Sequence, residues 1–517
     1  MTLLTETERV FARQICTLTY TNPFTPERIE LERQLLGRSF LQRQTVWSRR
    51  DDLIGNSPNI ENILAKASGL LETLVERSKS SGASCTEEER ALLTEMLTFH
   101  LYHKFHADFD KYARAVASAR GRSPNFYGAF EQECNRMNCI VPGGLIEGRF
   151  ISILFALGFQ VRRAFNHIFD FFVGESAAAA KLRAAVWQSI FTHDMRRYQR
   201  CLFDRMNDFT CLITGPSGTG KELVARAIAL SRYVPFDRVR NTFGVSYPDT
   251  FYPLNLSALS PTLIESELFG HRKGSFTGAL TDKTGFLEVC PSAGTVFLDE
   301  IGELNGSLQV KLLRLLQDRT FQRIGDTKLM SFHGRFIAAT NRDLPQEIRN
   351  GNFREDLFYR LCSDMIQTPS LRDQLEEGPE ALAILVRYIC GKLVGDGECD
   401  ALADEVTAWI QNNVPHDYAW PGNVRELEQC IRNILIRRTF QLRPKSAAQS
   451  KQASLMRRQL GDKVASGEIA LEDLMQHYVC LIFSETHSYQ ETARRLGVDH
   501  RTIKKRLDED LVKQYAP

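Results

Sequence analysis

The chain has 517 residues, of which 43% are hydrophobic and 25% are charged, a composition typical of folded globular proteins that excludes disordered and fibrous classes. The 65 lysines and arginines nearly balance the 63 aspartates and glutamates, so any surface for nucleic acid has to be a local patch. A chain of this length is expected to fold into about three or four domains.

The 12 cysteines are scattered without a CxxC pair, which indicates reduced thiols rather than disulfides or a zinc site. The first residues lack the basic and apolar regions of a signal peptide. The most apolar segment, 150–173, is interrupted by Arg162, Arg163, His167 and Asp170, so it lacks the run of about 20 apolar residues that a membrane span needs. We therefore expect a cytoplasmic protein with no membrane partner.

Residues 1–170 are predicted to be mostly helical. Thr86 followed by Glu89 forms a capping-box pattern that predicts a helix running towards Ala117. Residues 145–172 predict a second long helix. By its position, this region would be a sensory or regulatory domain.

A histidine-rich stretch lies within the first of these predicted helices. His100, His103, His106, Asp108 and Asp110 raise the alternative of a metal site. The histidines drift across the helix face and aromatic residues are interleaved with them, which favours an ordinary amphipathic helix.

The pattern changes near residue 173, where short apolar runs begin to alternate with helical segments. Runs at 211–214, 295–298 and 336–339 are typical of a mostly parallel sheet with helices on its faces. From 379 to 440 the pattern is helical again.

A glycine-rich loop follows the first apolar run and precedes a helical segment. Its residues are Gly215, Pro216, Ser217, Gly218, Thr219, Gly220 and Lys221. Glycines let backbone N–H groups turn inward around phosphates, the helix N-terminus adds positive charge, and Lys221 would reach the β- and γ-phosphates. This pattern predicts an ATP-binding P-loop, although Glu222 stands where Ser or Thr is usual.

Two carboxylates, Asp299 and Glu300, end the second apolar run. The carboxyl ends of parallel strands meet at one edge of a sheet, so these acids are expected beside the phosphates. Asp299 is expected to hold Mg²⁺, directly or through water, and Glu300 to orient and deprotonate the attacking water. The two motifs together predict an ATPase.

Further motifs resemble one family. A Glu-Leu-Phe-Gly-His run at 267–271 is followed by Gly274, Ser275, Phe276, Thr277, Gly278 and Ala279, and Gly-Glu-Ser stands at 174–176. With the P-loop, residues 173–440 resemble the central domain of the bacterial enhancer-binding proteins, the AAA+ activators of sigma-54 RNA polymerase. That family carries Glu after the P-loop lysine, so Glu222 fits the resemblance.

The resemblance implies that the loop 274–279 contacts sigma-54 and moves with the nucleotide state. Glycines at both ends permit large backbone movements, and an exposed Phe276 beside Thr277 would be an apolar contact. Ser275 stands where the family usually has Ala, and this departure leaves the coupling to polymerase open.

The resemblance also implies roles for single residues. Asn255 matches a residue that holds the catalytic Glu in one nucleotide state, and Asn341 matches a sensor of the γ-phosphate. Arg354 and Arg360 match arginine fingers, which neutralise charge in the transition state. Arg425 matches a second sensor in a helical lid. Fingers supplied by a neighbour would make activity depend on a homo-oligomer, from a dimer to a ring of six or seven subunits.

Two segments depart from the family by extra length, at 192–207 and 237–249. Both are expected to form surface loops, where insertions are tolerated, with altered subunit contacts as the alternative.

Near the C-terminus, residues 489–507 are typical of a helix, a glycine-containing turn and a second helix. Ala493, Leu496, Val498, Ile503 and Leu507 have the spacing of a small shared core, and Arg501, Thr502, Lys504 and Lys505 project from the second helix. The unit resembles the Fis-type helix-turn-helix and predicts double-stranded DNA as a partner, with the first two side chains near base edges and the basic ones on phosphates. A solvated basic helix in a bundle is the alternative.

The predicted fold class is multidomain α and α/β. We expect a mostly helical N-terminal domain at 1–170, an AAA+ P-loop α/β domain at 171–375 and its helical lid at 376–440. A linker at 441–466 and an all-α helix-turn-helix domain at 467–517 complete the predicted organisation.

The leading hypothesis is a transcription activator that binds upstream enhancer DNA and uses ATP with Mg²⁺ to remodel the sigma-54 RNA polymerase holoenzyme into the open complex. The main rival is a DNA-binding regulator of the same architecture that acts without remodelling polymerase. A remodelling ATPase acting on other proteins is disfavoured by the C-terminal helix-turn-helix pattern.

Overall fold

The computed structural model describes the chain in stretches that leave short gaps. These stretches are residues 3–42, 57–81, 85–118, 123–376, 378–415, 417–442, 456, 460–461, 463–486, 488–508, 511–512 and 515. The chain divides into two compact units, Met1–Gln411 with Asp417–Ile431, and Asn412–His416 with Arg432–Pro517. Within the described stretches, no helix has both the length and the apolar character that crossing a membrane requires.

The larger unit begins with helices packed around one apolar core. They are Glu6–Tyr20, Pro26–Leu36, Pro58–Ser81, Glu87–Lys104, His106–Ser118, Tyr127–Asn138 and Gly148–Phe171. The capping box predicted at Thr86 is present, since its hydroxyl accepts from the Glu89 N–H at 3.2 Å. The single helix predicted towards Ala117 is instead two helices. Phe105 interrupts it and buries its ring against Phe130, with the ring centroids 5.4 Å apart.

A five-stranded parallel sheet follows, with strand order β4–β5–β8–β1–β9. Its strands are β1 (Cys211–Thr214), β4 (Phe251–Asn255), β5 (Thr295–Asp299), β8 (Arg335–Thr340) and β9 (Asp364–Gln367). The three apolar runs of the sequence are the three inner strands, which confirms the predicted parallel sheet. Inner strands are covered on both faces, so they need continuous apolar residues rather than alternation.

Helices pack on both faces of the sheet. They are Ala177–Phe191, Lys221–Leu230, Pro261–Phe269, Phe286–Val289, Gly306–Asp318, Leu344–Arg349 and Glu355–Leu361. Further helices along the chain are Met195–Arg197, Leu371–Leu375, Pro379–Val394, Asp396–Asn413 and Asn423–Arg437. Alternate residues of β1 supply the two cores, because successive side chains of a strand point to opposite faces. Leu212 lies in one core with Leu312, and Ile213 lies in the other with Val224.

The segment 237–249 does not form the expected surface loop. It belongs to an antiparallel hairpin of β2 (Phe236–Asp237) and β3 (Thr242–Phe243) that packs on the N-terminal helices. The Phe243 ring lies 4.4 Å from that of Phe159, and the Tyr247 hydroxyl donates to the Ala113 carbonyl at 3.2 Å. The hairpin tip at 238–240 is exposed, whereas Phe236 and Tyr247 are buried and Phe243 is partly buried against the N-terminal core.

The segment 192–207 is also not a free loop. Tyr198 is only 2% exposed, and its hydroxyl accepts from the Gln160 side chain at 2.6 Å. Arg196 pairs with Glu95 of the N-terminal helices at 2.9 Å. Both segments of extra length therefore fasten the N-terminal helices to the sheet domain. A second small ribbon pairs β6 (Thr320–Phe321) with β7 (Met330–Ser331).

The smaller unit contains helices Leu471–Thr486, Tyr489–Leu496 and His500–Arg506. Its core is formed by buried Val479, Ala493 and Ile503, with Phe483, Leu496 and Leu507 packed against them. Val498 was expected in this core but is 41% exposed, because it lies in the turn directly after Gly497, where the chain reverses. Most of the predicted linker 441–466 lies outside the described residues.

Candidate active site

The glycine-rich loop connects the inner strand β1 to the helix Lys221–Leu230, called here the P-loop helix. Gly218 and Gly220 have φ angles of 79° and 88°, a region that side chains with a Cβ rarely adopt. A Cβ at Gly218 would also collide with the carbonyl oxygen of Gly422. Glycine is therefore needed here on both conformational and steric grounds.

Lys221, the first residue of the P-loop helix, folds back over the loop. It is 7% exposed, and its Nζ donates to the carbonyl oxygens of Gly215 at 3.0 Å and Pro216 at 3.3 Å. Burial lowers the pKa of Lys221, and the carboxylates of Glu300 and Asp299 oppose that shift. A lysine cation at the N-terminus of a helix, beside a glycine-rich loop, suits a polyphosphate.

Asp299 and Glu300 lie at the carboxyl end of β5, on the same side of the sheet as the P-loop. Glu300 Oε1 is 4.0 Å from Lys221 Nζ. Burial, with repulsion from Glu300, raises the pKa of Asp299. A carboxylate held in such a half-buried place is suited to a divalent cation, which would offset the cost of its charge.

Glu300 has a left-handed backbone, with φ 59° and ψ 50°. For a residue with a Cβ this conformation costs about 1–2 kcal/mol. The surroundings maintain it, since the Glu300 carboxylate accepts from the backbone N–H of Asn341 at 3.1 Å. The left-handed backbone and this hydrogen bond together hold the Glu300 carboxylate in one direction at the end of the strand.

Asn255 lies beside the acidic pair. Its side-chain N–H donates to Asp299 at 3.4 Å, and its oxygen accepts from the Ser257 N–H at 3.0 Å. The structure therefore brings Asn255, Asp299, Glu300 and Asn341 together beside Lys221 at the carboxyl ends of β4, β5 and β8.

The helix Asn423–Arg437 contacts the P-loop through two side chains. Asn423 donates to the carbonyl oxygen of Ser217 at 2.9 Å, and Arg425 lies 3.5 Å from the Ser217 hydroxyl. Asn423 also accepts from the backbone N–H of Leu371 at 2.9 Å. Sequence reasoning missed Asn423, although its place after Pro-Gly at the start of a helix is a capping signal that could have identified it.

Two threonines also hold the loop, Thr219 of the predicted P-loop and Thr368, which the sequence analysis missed. The hydroxyls of Thr219 and Thr368 are 2.6 Å apart, and Thr219 also donates to the Pro216 carbonyl at 2.8 Å. Thr368 comes directly after the edge strand β9. Glu222, the residue after the lysine, is exposed in the first turn of the helix. A negative charge at this end is stabilised by the helix dipole.

Arg354 and Arg360 lie at the two ends of the short helix Glu355–Leu361, and both are exposed. Arg354 forms a fork with Asp356, with N–O distances of 3.0 and 2.7 Å. In the part of the chain that the structure describes, neither arginine has a hydrogen bond or ion pair to the P-loop of its own subunit. Their exposure suits contact with a second subunit.

The loop 274–279 is closed by a hydrogen bond from the Gly274 N–H to the Ala279 carbonyl at 2.8 Å. Phe276 was expected to be exposed, but it is partly buried against His271, with ring centroids 4.9 Å apart. The apolar side chain that does face solvent is Leu280, which is 81% exposed. Ser275 turns its hydroxyl to the Arg272 carbonyl at 2.7 Å.

In the smaller unit, four candidate DNA-contacting side chains are exposed on the helix His500–Arg506. They are Arg501, Thr502, Lys504 and Lys505. Ile503 between them is fully buried, and the Asp499 side chain caps the helix by accepting from the Arg501 N–H at 2.7 Å. Because Ile503 packs into the core, the basic side chains of this helix point to solvent.

The histidine-rich stretch of the N-terminal helices has other partners. His100 lies between Ser68 at 2.8 Å and Glu133 at 2.9 Å, and His106 Nδ1 contacts the His103 carbonyl at 2.8 Å. Among the described residues, no three histidine, cysteine or acidic side chains are grouped as metal ligands would be.

Residues 191–367 match the family model described as the Sigma-54 interaction domain. The chain is 42% identical over 224 residues to the Nif-specific regulatory protein of Enterobacter agglomerans, covering 43% of this chain and 39% of that protein. It is 42% identical over 229 residues to the DNA-binding transcriptional regulator NtrC of Azospirillum brasilense, covering 44% and 43% of the two chains. It is 35% identical over 318 residues to the transcriptional regulatory protein ZraR of Salmonella typhimurium, covering 58% and 63%.

The chain thus spans less than two thirds of each of these relatives. Among solved structures, NtrX from Brucella abortus in complex with ATP is 24% identical, with 71% of this chain and 76% of that chain covered and a TM-score of 0.39. The family match covers the P-loop, the acidic pair, the loop 274–279 and both candidate fingers. Residues 191–367 of this chain are therefore similar to the Sigma-54 interaction domain, an AAA+ ATPase module.

Proposed function

We propose that this protein is a transcription activator that hydrolyses ATP in a ring oligomer to remodel the sigma-54 RNA polymerase holoenzyme into the open complex. One observation carries the proposal. Within the region that matches the Sigma-54 interaction domain, Lys221, Asp299 and Glu300 lie together at the glycine-rich loop that precedes the P-loop helix. The similarity to three bacterial regulators supports the same role.

Different residues of the chain would have different roles in ATP hydrolysis. ATP bound with Mg²⁺ would supply the transferable phosphoryl group. Lys221 and the backbone N–H groups of Gly215 and residues 217–222 would bind its phosphates, and Asp299, with its raised pKa, would hold the cation. Glu300 would orient water and accept its proton, while Asn255, Asn341 and Arg425 would respond to the nucleotide through their contacts around the site.

Arg354 and Arg360 would complete the site of a neighbouring subunit. Both are exposed, and a finger arginine in trans neutralises charge in the transition state. Assembly into a ring of six or seven subunits would then be a condition for turnover.

Other regions of the chain would connect the ATPase module to sigma-54 and to DNA. The loop 274–279, with Phe276 and Thr277, would contact sigma-54. The helix His500–Arg506 would bind enhancer DNA as part of a Fis-type helix-turn-helix in residues 467–517, following a linker at 441–466. Residues 1–170 would be the regulatory domain, 171–375 the AAA+ α/β part and 376–440 its lid, in a cytoplasmic protein.

Open-complex formation tests the proposal. The purified chain is mixed with sigma-54 holoenzyme, ATP and a template that carries a sigma-54 promoter, and strand opening is detected with permanganate. The wild type should open the promoter. Thr277→Ala should keep ATP turnover and lose opening, and the exposed neighbouring substitution Lys273→Ala should keep both.

An assembled wild-type protein that turns over ATP and binds DNA but opens no promoter would favour the rival function, a regulator that acts without remodelling. Failure to bind any DNA at low salt would point instead to an ATPase that remodels other proteins.

A further inference from the structure

A cavity lies between the N-terminal helices and the helix Ala177–Phe191 of the sheet domain. Its volume is about 160 Å³. The helix Gly148–Phe171 forms one wall with Leu157 and Val161, the helix Glu87–Lys104 contributes Phe99, and Trp187 and Phe191 close the side towards the sheet. The functional residues of the ATPase module lie elsewhere.

We propose that this cavity is a binding site for one uncharged, single-ring aromatic compound that carries a hydrogen-bond acceptor. The site is separate from the nucleotide site and goes beyond the proposed remodelling function.

The size of the cavity limits the ligand to about one ring. An apolar protein cavity of about 150 Å³ is known to bind benzene. The volume of about 160 Å³ therefore accommodates a benzene-sized body with a small substituent.

The shape and chemistry of the wall favour an aromatic ligand. Trp187 makes ring contacts with Phe165 at 4.9 Å and Phe191 at 4.5 Å between centroids. Aromatic rings attract one another most in such tilted and edge-to-face arrangements. A further ring inserted among Phe99, Phe165 and Trp187 would find edges and faces at several angles.

The Trp187 indole is the reason why the ligand should carry a hydrogen-bond acceptor. Its side chain is 3% exposed, and Nε1 has no hydrogen-bond partner among the described residues. A buried N–H without an acceptor is costly, and such groups in native proteins call for a partner. A carbonyl or ether oxygen on the ligand would be that partner.

The charged groups at the wall are already matched, which favours a neutral ligand. Arg162 pairs with Asp110 at 2.9 Å, and Arg28 pairs with Glu32 at 3.3 Å and with the Leu18 carbonyl at 2.6 Å. Burial lowers the pKa of both His103 and His106, so their rings are neutral at physiological pH. An anion or a cation would enter without a matching charge.

Calorimetric titration of the full-length chain with three probes tests the proposal. Benzaldehyde has a ring and an acceptor, toluene has the ring alone, and benzoate adds a charge. The wild type should bind benzaldehyde about three- to tenfold more tightly than toluene, the ratio expected for one additional hydrogen bond. Benzoate should bind more weakly than either.

Trp187→Phe keeps a ring in the wall and removes the N–H donor. It should lower benzaldehyde affinity to that of toluene and leave toluene binding unchanged. An unaltered preference for benzaldehyde in this variant would contradict the role of the indole.

Val161→Phe places a ring inside the cavity and should abolish binding of both neutral probes, while Phe150→Leu, on the exposed part of the same helix, should not. If Val161→Phe does not fold by circular dichroism, Leu157→Phe replaces it. Absence of binding to the wild type, or equal binding to the filled variant, would overturn the proposal. The readout is independent of ATP turnover, so its failure leaves the remodelling function untouched.

Discussion

The Arg163 guanidinium donates to the carbonyl oxygen of Leu230, the last residue of the P-loop helix, at 2.7 Å. It also donates to the Arg232 carbonyl at 2.6 Å. Arg163 is 1% exposed and lies over the rings of Phe159 and Tyr247, 4.7 and 4.6 Å from their centroids. Burial lowers the pKa of Arg163 to about 10, so the side chain stays charged at neutral pH. A cation from the N-terminal helices thus caps the C-terminus of the helix that begins with Lys221.

Replacing Arg163 by Met should destabilise the chain by about 2–4 kcal/mol, because two carbonyls lose a charged donor inside the protein. Urea denaturation at neutral pH would measure the change. Arg149→Met is the matched control on the same helix, since its side chain is 75% exposed, and it should have little effect. Equal midpoints for the two variants would show that the Arg163 contact does not stabilise the fold.

Mixing two inactive variants should restore ATP turnover if the fingers act in trans. Lys221→Ala loses the phosphate cation and Arg354→Ala loses the finger, but a mixed ring contains interfaces where an intact P-loop meets an intact Arg354. Steady-state phosphate release would report the recovery. The exposed neighbour Arg349→Ala should remain active alone. A mixture as inactive as its parts would place Arg354 outside the neighbouring site.

Asp299→Asn should stabilise the nucleotide-free chain at pH 7.5 while abolishing Mg²⁺-dependent turnover. Burial, with Glu300, raises the pKa of Asp299 above its ordinary value of 3.8, so the charged form is disfavoured in the folded chain. That penalty is present above the folded-state pKa and disappears as pH falls towards the ordinary value. Denaturation midpoints measured between pH 7.5 and 4 should therefore converge. Exposed Asp318→Asn should show no such trend, and parallel curves for both variants would contradict the assignment.

Lys504→Ala should weaken DNA binding at all sequences and reduce the slope of log affinity against log salt by about one, because a single phosphate contact is lost. Arg501→Ala should instead reduce the preference for specific over unrelated DNA. Fluorescence anisotropy across a salt series would measure both. Lys463→Ala, exposed in the same unit, is the control. An unchanged slope for Lys504→Ala would remove this helix from the interface.

The inner strands of the sheet could be predicted from the sequence, because burial on both faces requires a continuous run of apolar residues. The inner strands β1, β5 and β8 are continuous apolar runs, and the loops after them carry the glycines and acids of the P-loop, Asp299 and Glu300. The edge strand β9 was not predicted, since only one side of it is paired and residues such as Met365 are 62% exposed. Edge strands carry a weaker signal for this reason.

Contacts between distant segments could not be predicted. Phe276 has the spacing of an exposed loop residue, yet His271 covers it, and Val498 has the spacing of a core residue, yet the turn at Gly497 leaves it outside. The periodicity of a sequence indicates which residues of one helix or strand face the core. It does not indicate which side chain of another helix, strand or loop will contact them. The hydrogen bonds from Asn423 and Thr368 to the P-loop, across about 150 or more residues, were missed for the same reason.

The hairpin β2–β3 lies between the P-loop helix and β4 in sequence, but its rings pack among those of the N-terminal helices, with Phe236 4.6 Å from Tyr127. The N-terminal helices and the sheet domain are therefore joined at two separate places in the chain. A new N-terminal region could not be joined to this sheet domain by a single genetic crossover near residue 171 without leaving Phe236, Phe243 and Tyr247 uncovered. Recombination would have to exchange both segments together, so the N-terminal helices and the hairpin are expected to be inherited as a pair.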